Sequence, residues 1–573
     1  MQAHHFSHPV RSAVFHQPDS EKMRMHLQHL LRFTRRIHAR RSLRNCLCLL
    51  LVWITVYFLS FSILKNSDLS GADKNFQLQK SMESHLQSKA EAQRSSTYKL
   101  KEEQPAADKF KLTSQDGLVA QIEAELPNLA IKYWHEYKNQ GLYEKNVTCA
   151  KLPYPYDINF NNKYWQVLKT SNGTFHLYSA YYDNRTLATM KPAIRLLGTI
   201  DKISPSVKTN CQLWFEGRHD PVISEVWEYK YIWNKDWGNY KNDLQQPYLM
   251  ACRIPKEHHH LVPVSVSLVE KPCEKATTNL KVIYNLPLSG LKEDFAVCVK
   301  GLDFPGTDLS VRITEWLELL FLLGVSKVFM YDIEVHPNVA KVLNYYEKQG
   351  LIEVTKLTLP GELPNIAGLT HWFLKSRVVH KRQNELIPYN DCLYRNMYKY
   401  KYLALLDTDE VILPKQVLSW NDLMDTLVIK AKQNSDVTPS SYHARNVYFW
   451  DTTNHTHDWF PDIPPYMHML QHVYRAYNYT KPGAFIKCFH DTERVITLHN
   501  HFPFACFGGC NSFPIDTEDA QLQHYRADCV SDLKKSCFRE YKNHTVLDTT
   551  IWRYQKGLVR NVENTLRNLN FFG

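Results

Sequence analysis

The stretch 401–410, Lys-Tyr-Leu-Ala-Leu-Leu-Asp-Thr-Asp-Glu, constrains this chain more than any other. Its apolar and aromatic run ends in three acids within four positions, and Pro414 follows. A short apolar run bounded in this way reads as a buried strand. In an open α/β sheet, ligands bind at the carboxyl ends of such strands. Asp407 and Asp409, spaced i, i+2 there, can project toward one site. They can hold a divalent cation through hard oxygen ligands, as Mg²⁺ and Mn²⁺ prefer. Such a cation can clamp the phosphates of a nucleotide and neutralise a leaving diphosphate. The competing reading is a pair of solvated acids in a loop, since Asp-x-Asp alone is common.

The surroundings of that strand alternate. Residues 295–299 read as a strand and 307–323 as an apolar helix stopped by Gly324. Residues 325–330 read as a strand ending at Tyr331-Asp332, 338–349 as a helix closed by Gly350, and 351–357 as a third strand. Residues 384–399 fit a helix leading into the Asp-x-Asp strand. This rhythm predicts an α/β domain over 289–573, with a mainly parallel sheet and helices on both faces. Neither a Gly-x-x-x-x-Gly-Lys-Ser/Thr nor a Gly-x-Gly-x-x-Gly motif occurs, so a nucleotide here needs another device, such as a metal.

Upstream, 145–288 is different. Residues 174–182, 194–200, 211–215 and 263–269 are short, aromatic or β-branched, and separated by turn residues. They predict a smaller all-β module, read as a sandwich. The triplet His258-His259-His260 lies in it and reads as a solvated loop, because consecutive side chains point different ways. Residues 65–144 are polar for most of their length and read as a stem, with a short helix at 117–125.

The formal charge of +11 suggests nucleic acid until it is located. Nine Arg and Lys against Asp19 and Glu21 lie within residues 1–44, so the excess is a basic tail and no nucleic-acid partner is expected. An uncharged apolar run follows at 46–64, long enough to cross a bilayer core. Basic residues on its N-terminal flank predict a single-pass type II anchor, with 1–45 cytosolic and the remainder lumenal. Six Asn-x-Ser/Thr sequons all lie after it, at Asn146, Asn172, Asn184, Asn454, Asn478 and Asn543. Eleven of the thirteen cysteines lie there too, and an oxidising lumen predicts that most pair and at least one stays free. Cys506-x3-Cys510, with Gly508-Gly509 between, reads as a disulfide loop rather than a zinc site.

One ordered set of motifs carries a resemblance. It comprises 178–185 (Tyr-Ser-Ala-Tyr-Tyr-Asp-Asn-Arg), 315–318 (Glu-Trp-Leu-Glu), Tyr331-Asp332, 390–395 (Asn-Asp-Cys-Leu-Tyr-Arg), 406–410 and His524-Tyr525-Arg526. Together, over about 145–565, they resemble glycosyltransferase family 92. The resemblance implies a GT-A-like fold, a nucleotide-sugar donor, Mn²⁺ or another divalent cation, and inverting transfer. Characterised members are similar to β-1,4-galactosyltransferases that use UDP-galactose and extend galactose or fucose on N-glycans and other glycoconjugates. The tail, anchor, stem and body also match the layout of type II Golgi membrane enzymes.

On that resemblance, Asp409 is the direct metal ligand and Asp407 a ribose or water-mediated contact. A late histidine ligand is expected from among His499, His501 and His524. Arg526 is placed to pair with a phosphate. Asp332 is a candidate for the uridine or ribose and Asp391 for the donor sugar; helix-terminal charges are the competing readings. Inversion needs a carboxylate to deprotonate the acceptor hydroxyl. Asp451, after Tyr448-Phe449-Trp450, is the first candidate and Asp458 the second. The rival functions are a non-catalytic, lectin-like glycoprotein and a cell-surface adhesion ectodomain. The sequence leaves open whether the body forms a homodimer.

Overall fold

The computed structural model describes residues 115–451, 459–529 and 534–572. The basic tail 1–45, the apolar segment 46–64, the stem up to 114, Asn454 and Asp458 lie outside the described residues. Among the described residues no helix is long and apolar enough to cross a membrane, so the expected spanning helix is no part of the described fold.

The upstream module is built from nine strands. They are β1 Phe160–Asn162, β2 Trp165–Thr170, β3 Gly173–Asp183, β4 Ala193–Ile200, β5 Asn210–Trp214, β6 Val222–Tyr231, β7 Gln246–Arg253, β8 Ser265–Val269 and β9 Leu280–Ile283. Their order is β1-β2-β3-β4-β7-β6-β5-β8-β9, and β9 pairs back onto β3. The expected sandwich is therefore a closed barrel, which leaves few strand edges to protect. The cause is the length of β3, eleven residues, which carries β2, β4 and, at its far end, β9. A register shift between Leu177 and Ser179 bends it. The same extra residue changes the phase of its side chains. Phe175 and Leu177 face the barrel core, and after the shift Ala180 and Tyr182 do so, while Tyr178 and Tyr181 face outward into a second core. Cys211–Cys252 ties β5 to β7, and Cys149–Cys273 closes the module's ends.

The stem ends earlier than expected. Helices α1 Gln115–Glu125 and α2 Ile131–Asn139 precede the barrel, and Tyr133, Tyr137 and Tyr143 pack on Trp214. Those aromatics make residues 129–144 part of the folded body.

The downstream strands are β10 Glu293–Phe304, β11 Lys327–Val335, β12 Ile352–Lys356, β13 Tyr400–Leu405, β14 Glu410–Pro414, β15 Ser441–Ala444, β16 Asn446–Trp450 and β17 Tyr474–Ala476. They continue as β18 Lys487–Asp491, β19 Val495–Leu498, β20 Pro503–Cys506, β21 Ser512–Pro514, β22 Ala520–Arg526 and β23 Thr545–Leu547. The helices are α3 Ser310–Leu322, α4 Pro337–Lys348, α5 Leu369–Ser376, α6 Val378–Asn384, α7 Leu386–Asn396, α8 Trp420–Asn434, α9 His468–Gln471 and α10 Gln555–Asn568. A seven-stranded sheet runs β12-β11-β10-β13-β18-β15-β21, and a five-stranded one β14-β22-β16-β17-β23.

The expected mainly parallel sheet of a GT-A-like α/β domain is corrected here. The described fold is mixed α/β with a β-barrel, and most of its ladders are antiparallel. Parallel pairing holds β12, β11, β10 and β13 together, where helices supply the crossovers. That run of parallel neighbours stops at β13 because only residues 406–409 separate β13 from β14. A parallel crossover needs about a dozen residues or more. The chain therefore leaves for the second sheet, and β18 returns antiparallel to β13.

The seven-stranded sheet is covered on both faces, but not by helices alone. On β10, Phe295, Val297 and Val299 join the core under α3, α4, α8 and α10, whereas Ala296 and Cys298 join a core with α7 and the barrel residues Trp165, Tyr178, Tyr181 and Trp233. Both faces being buried explains why β10 reads as a continuous apolar run. Cys298–Cys392 links β10 to α7. Cys506–Cys510 closes the expected loop, Cys529–Cys537 adds a fifth bridge, and Cys488 is the free, buried cysteine among the described residues. Asn146, Asn172, Asn184, Asn478 and Asn543 are all exposed, as a glycan-bearing asparagine must be.

Glu315 of α3 is fully buried and accepts the backbone N–H groups of Met469 and Leu470 at 2.9 and 3.1 Å, capping α9. Burial outweighs those donors and pushes its carboxyl up to about 7 from an ordinary 4.5. The native state then binds a proton that the unfolded chain releases. The resulting stability is full below about pH 4.5 and is lost as pH rises through about 7. Glu315→Gln is expected to flatten the fall in urea-unfolding stability across that window. An unchanged slope in the variant would contradict this.

Candidate active site

Between β13 and β14 the chain makes a tight turn, closed by Glu410 N–H donating to the Asp407 carbonyl at 3.0 Å. Leu406 N–H donates to Cys298 O and Tyr525 N–H to Asp409 O, which fix the turn to β10 and β22. β14 pairs with β22 so that Glu410 lies opposite His524, and β16 pairs with β22 so that Trp450 lies opposite Arg526. The turn thus sits at the junction of the two sheets and lines a cleft of about 460 Å³. Asp407, Thr408, Asp409, His524 and Arg526 line it, together with Lys300, Arg312 and Lys381.

The two aspartates have different surroundings. Asp407 lies 3.0 Å from Lys300 Nζ and 3.5 Å from Lys487 Nζ. Burial would raise its carboxyl, but Lys300 and then Lys487 hold it far below the usual carboxylate range. Lys487, itself fully buried, also meets Glu410 at 3.1 Å and donates to Asn500 at 2.6 Å. Asp409 is half-exposed to the cleft and lies 3.4 Å from His524 Nε2. Burial raises it and His524 pulls it down, with a lowered net result. His524 sits 3.3 Å from Glu410 on its other nitrogen. Burial alone would lower the imidazole, but Glu410 and Asp409 outweigh that and raise it.

Lys300 reaches Asp407 through a local irregularity. The β10–β11 register slips between Val299 and Gly301, leaving Lys300 as the extra residue of the strand. Such bulges re-aim a side chain, often beside a functional site. A Cβ on Gly301 would lie 2.8 Å from Ile333 Cδ1, so glycine gives the neighbouring strand room there.

These residues fit a divalent cation. A half-exposed carboxylate at Asp409 faces an imidazole at His524, and Asp409 and Glu410 flank that imidazole with negative charge at 3.4 and 3.3 Å. Oxygen and imidazole donors together suit Mn²⁺.

The other sequence candidates fall in several places. His501 Nδ1 donates to Ile486 O (3.0 Å) and its other nitrogen lies beside Asn500, which takes the Lys487 ammonium, so no direct contact joins it to Asp407. His499 stacks on Phe502 and Trp237, away from the turn. Burial and Lys487 lower both imidazoles, to about 3 for His501 and about 4 for His499. Asp391 does not line the cleft. It is fully buried in α7, where Tyr181 and Tyr331 hydroxyls and Arg395 Nε consume its oxygens. Asp332 lies inside β11, which runs on to Val335 rather than ending there; it pairs with Lys356 and is the register partner of the cleft residue Leu302. Asp451 follows β16, with Oδ1 3.1 Å from His468 and Oδ2 3.4 Å from Arg312. Burial raises its carboxyl, but His468 brings it down to about 2. Asp451 is thus better suited to hold Arg312 than to take a proton at neutral pH.

Sequence reasoning passed over Lys300, Lys487, Arg312 and Lys381. Two of these carried a signal: Lys300 and Lys487 each stand beside apolar strand residues, where a lysine must find an acid partner.

The sequence profile of glycosyltransferase family 92 matches residues 293–562. The chain is also similar to "Beta-1,4-galactosyltransferase galt-1" of Caenorhabditis elegans, 24% identical over 310 residues, covering 52% of this chain and 64% of the relative. It is similar to "Glycosyltransferase family 92 protein C33H5.2" of the same organism, 24% identical over 176 residues, covering 29% of this chain and 31% of that one. The chain thus spans less than two thirds of either relative's length. Among solved structures, Staphylococcus aureus TarS 1-349 overlaps 27% of this chain and 35% of its own at 11% identity, with a TM-score of 0.16, too slight to bear on the fold. With the Asp-x-Asp turn and its cleft inside the matched region, residues 293–562 of this chain belong to glycosyltransferase family 92.

Proposed function

We propose that this chain is an inverting glycosyltransferase that moves galactose from UDP-galactose, in β1,4 linkage, to a terminal galactose or fucose of a glycan. The observation that carries this reading is the Asp407-Thr408-Asp409 turn lining a cleft together with Lys300, Arg312, Lys381 and Arg526. Several cations around one acidic turn suit a diphosphate and a metal together. The galactose and its linkage come from the relative named as a β-1,4-galactosyltransferase.

In this reading Arg526 and Lys381 take the diphosphate oxygens. Lys300 and Lys487 keep Asp407 ionised and turned inward. Asp409 and His524 would hold Mn²⁺, which supplies charge neutralisation at the leaving diphosphate when bound. Arg312, steadied by Asp451, adds a further positive charge to the cleft lining. The disulfides and the exposed sequons support work in the oxidising lumen of the secretory pathway, and we assign it to the Golgi.

Calorimetric titration with UDP tests the site. Binding is expected with Mn²⁺ and to be lost in EDTA. Arg526→Gln is expected to weaken it by roughly 10- to 100-fold, the worth of a hydrogen bond to a charged group. Glycan binding by a folded protein that shows no metal-dependent UDP binding would favour the lectin-like reading instead.

A further inference from the structure

Beside the cleft lies a second group of ligand-bearing side chains, of which the proposed transfer uses only Asp451, as the partner of Arg312. His468 and His472 stand four residues apart, at the start and the C-cap of α9, which places both on one side of a helical turn. Asp451, just after β16, completes the group. One ligand atom from each of the three lies within 4.8 Å of the others. The two histidines are well packed: His472 is buried, His468 is nearly so, and their rings lie 4.1 Å apart.

We propose that Asp451, His468 and His472 form a divalent transition-metal site of the Zn²⁺ type, separate from the Asp-x-Asp turn. Three observations carry this. First, two imidazoles at i, i+4 and one carboxylate are a recurrent three-ligand set for zinc, with the fourth position left to water. Second, His472 Nδ1 lies 2.6 Å from the His468 carbonyl oxygen and can donate only N–H to it. That bond fixes the tautomer and puts the lone pair on Nε2, the way ligating histidines are ordinarily oriented by a backbone carbonyl. Third, the two oxygens of Asp451 are divided. Oδ1 faces His468, while Oδ2 faces Arg312, so one oxygen can ligate while the other keeps its outer partner.

The site has a consequence for the cleft. Arg312 lines the cleft and touches Asp451, and Tyr525, another lining residue, packs its ring 5.9 Å from that of His468. A cation on Asp451 Oδ1 draws charge away from Oδ2 and loosens its hold on Arg312. Metal occupancy therefore sets where one cationic wall residue of the cleft stands. The outer site is a positioning site, without contact to the Asp409 turn.

Cobalt substitution tests the proposal on the purified full chain after chelator treatment. One equivalent of Co²⁺ is expected to give the intense visible bands of a tetrahedral ion, displaced by Zn²⁺. The bands are expected to persist in Asp409→Asn and to be lost in His468→Gln and His472→Gln variants whose circular dichroism matches wild type. X-ray absorption fine structure at the zinc edge of wild-type protein, which needs no variant, is expected to count two imidazoles and oxygen. No stoichiometric Co²⁺ bands, bands surviving both histidine variants, bands lost with Asp409→Asn, or a zinc shell lacking imidazole would each overturn it.

Discussion

Asp409→Asn is expected to lower kcat/KM for sugar transfer by about 10³-fold, the scale of losing one preorganised charge at a reacting phosphate. The fold is expected to survive. Asp409 is half-exposed, and its loss leaves His524 with Glu410 at 3.3 Å and Asn446 within reach. Asp407→Asn should behave differently. It leaves Lys300 and the fully buried Lys487 short of an acid partner, so it should cost stability as well as activity. Steady-state kinetics beside a thermal melt separate the two. Equal kinetics for Asp409→Asn and wild type would remove Asp409 from the site.

Asp391→Ala is expected to cost about 3–5 kcal/mol of folding stability, the penalty for breaking a buried, fully bonded ion pair. Asp391 is not a donor contact but a junction. It accepts from Tyr181 of the barrel, Tyr331 of β11 and Arg395 of its own helix, and Arg395 also donates to Asn128. One carboxylate therefore joins α7 to the barrel on one side and to the seven-stranded sheet on the other. Its removal takes the carboxylate from the Arg395 guanidinium and the acceptor from two buried hydroxyls. Urea unfolding reads this directly, and a loss below about 1 kcal/mol would show that the junction is dispensable.

The contrast between Asp409 and Asp391 shows what the sequence could tell. The strand ending at Leu405 and its acids were legible because an apolar run meeting three acids has few other uses. Strands β10 to β12 and their helices were legible for the same reason, each apolar face having a clear period and a glycine stop. Most of the failures come from contacts distant in sequence. Asp391 looks like a site acid until Tyr181, 210 residues away, is seen to hold it. The sandwich became a barrel because of one register shift in β3, which no local pattern announces. The mainly parallel sheet failed where four residues replaced a crossover, and the α7–barrel layer took the place of helices on one face. Lys487 shows the reverse case. A lysine in a buried strand cannot stand alone, and its partners Asp407 and Glu410 could have been sought from the sequence.

The most direct test of the central claim is product analysis. Purified protein is given UDP-galactose, Mn²⁺ and galactose- or fucose-terminated N-glycans, and the products are read by mass spectrometry with linkage analysis. The account predicts one added hexose in β1,4 linkage, absent in EDTA and absent with Asp409→Asn. A folded protein that turns over no nucleotide sugar with any of these acceptors, metal present, would contradict it.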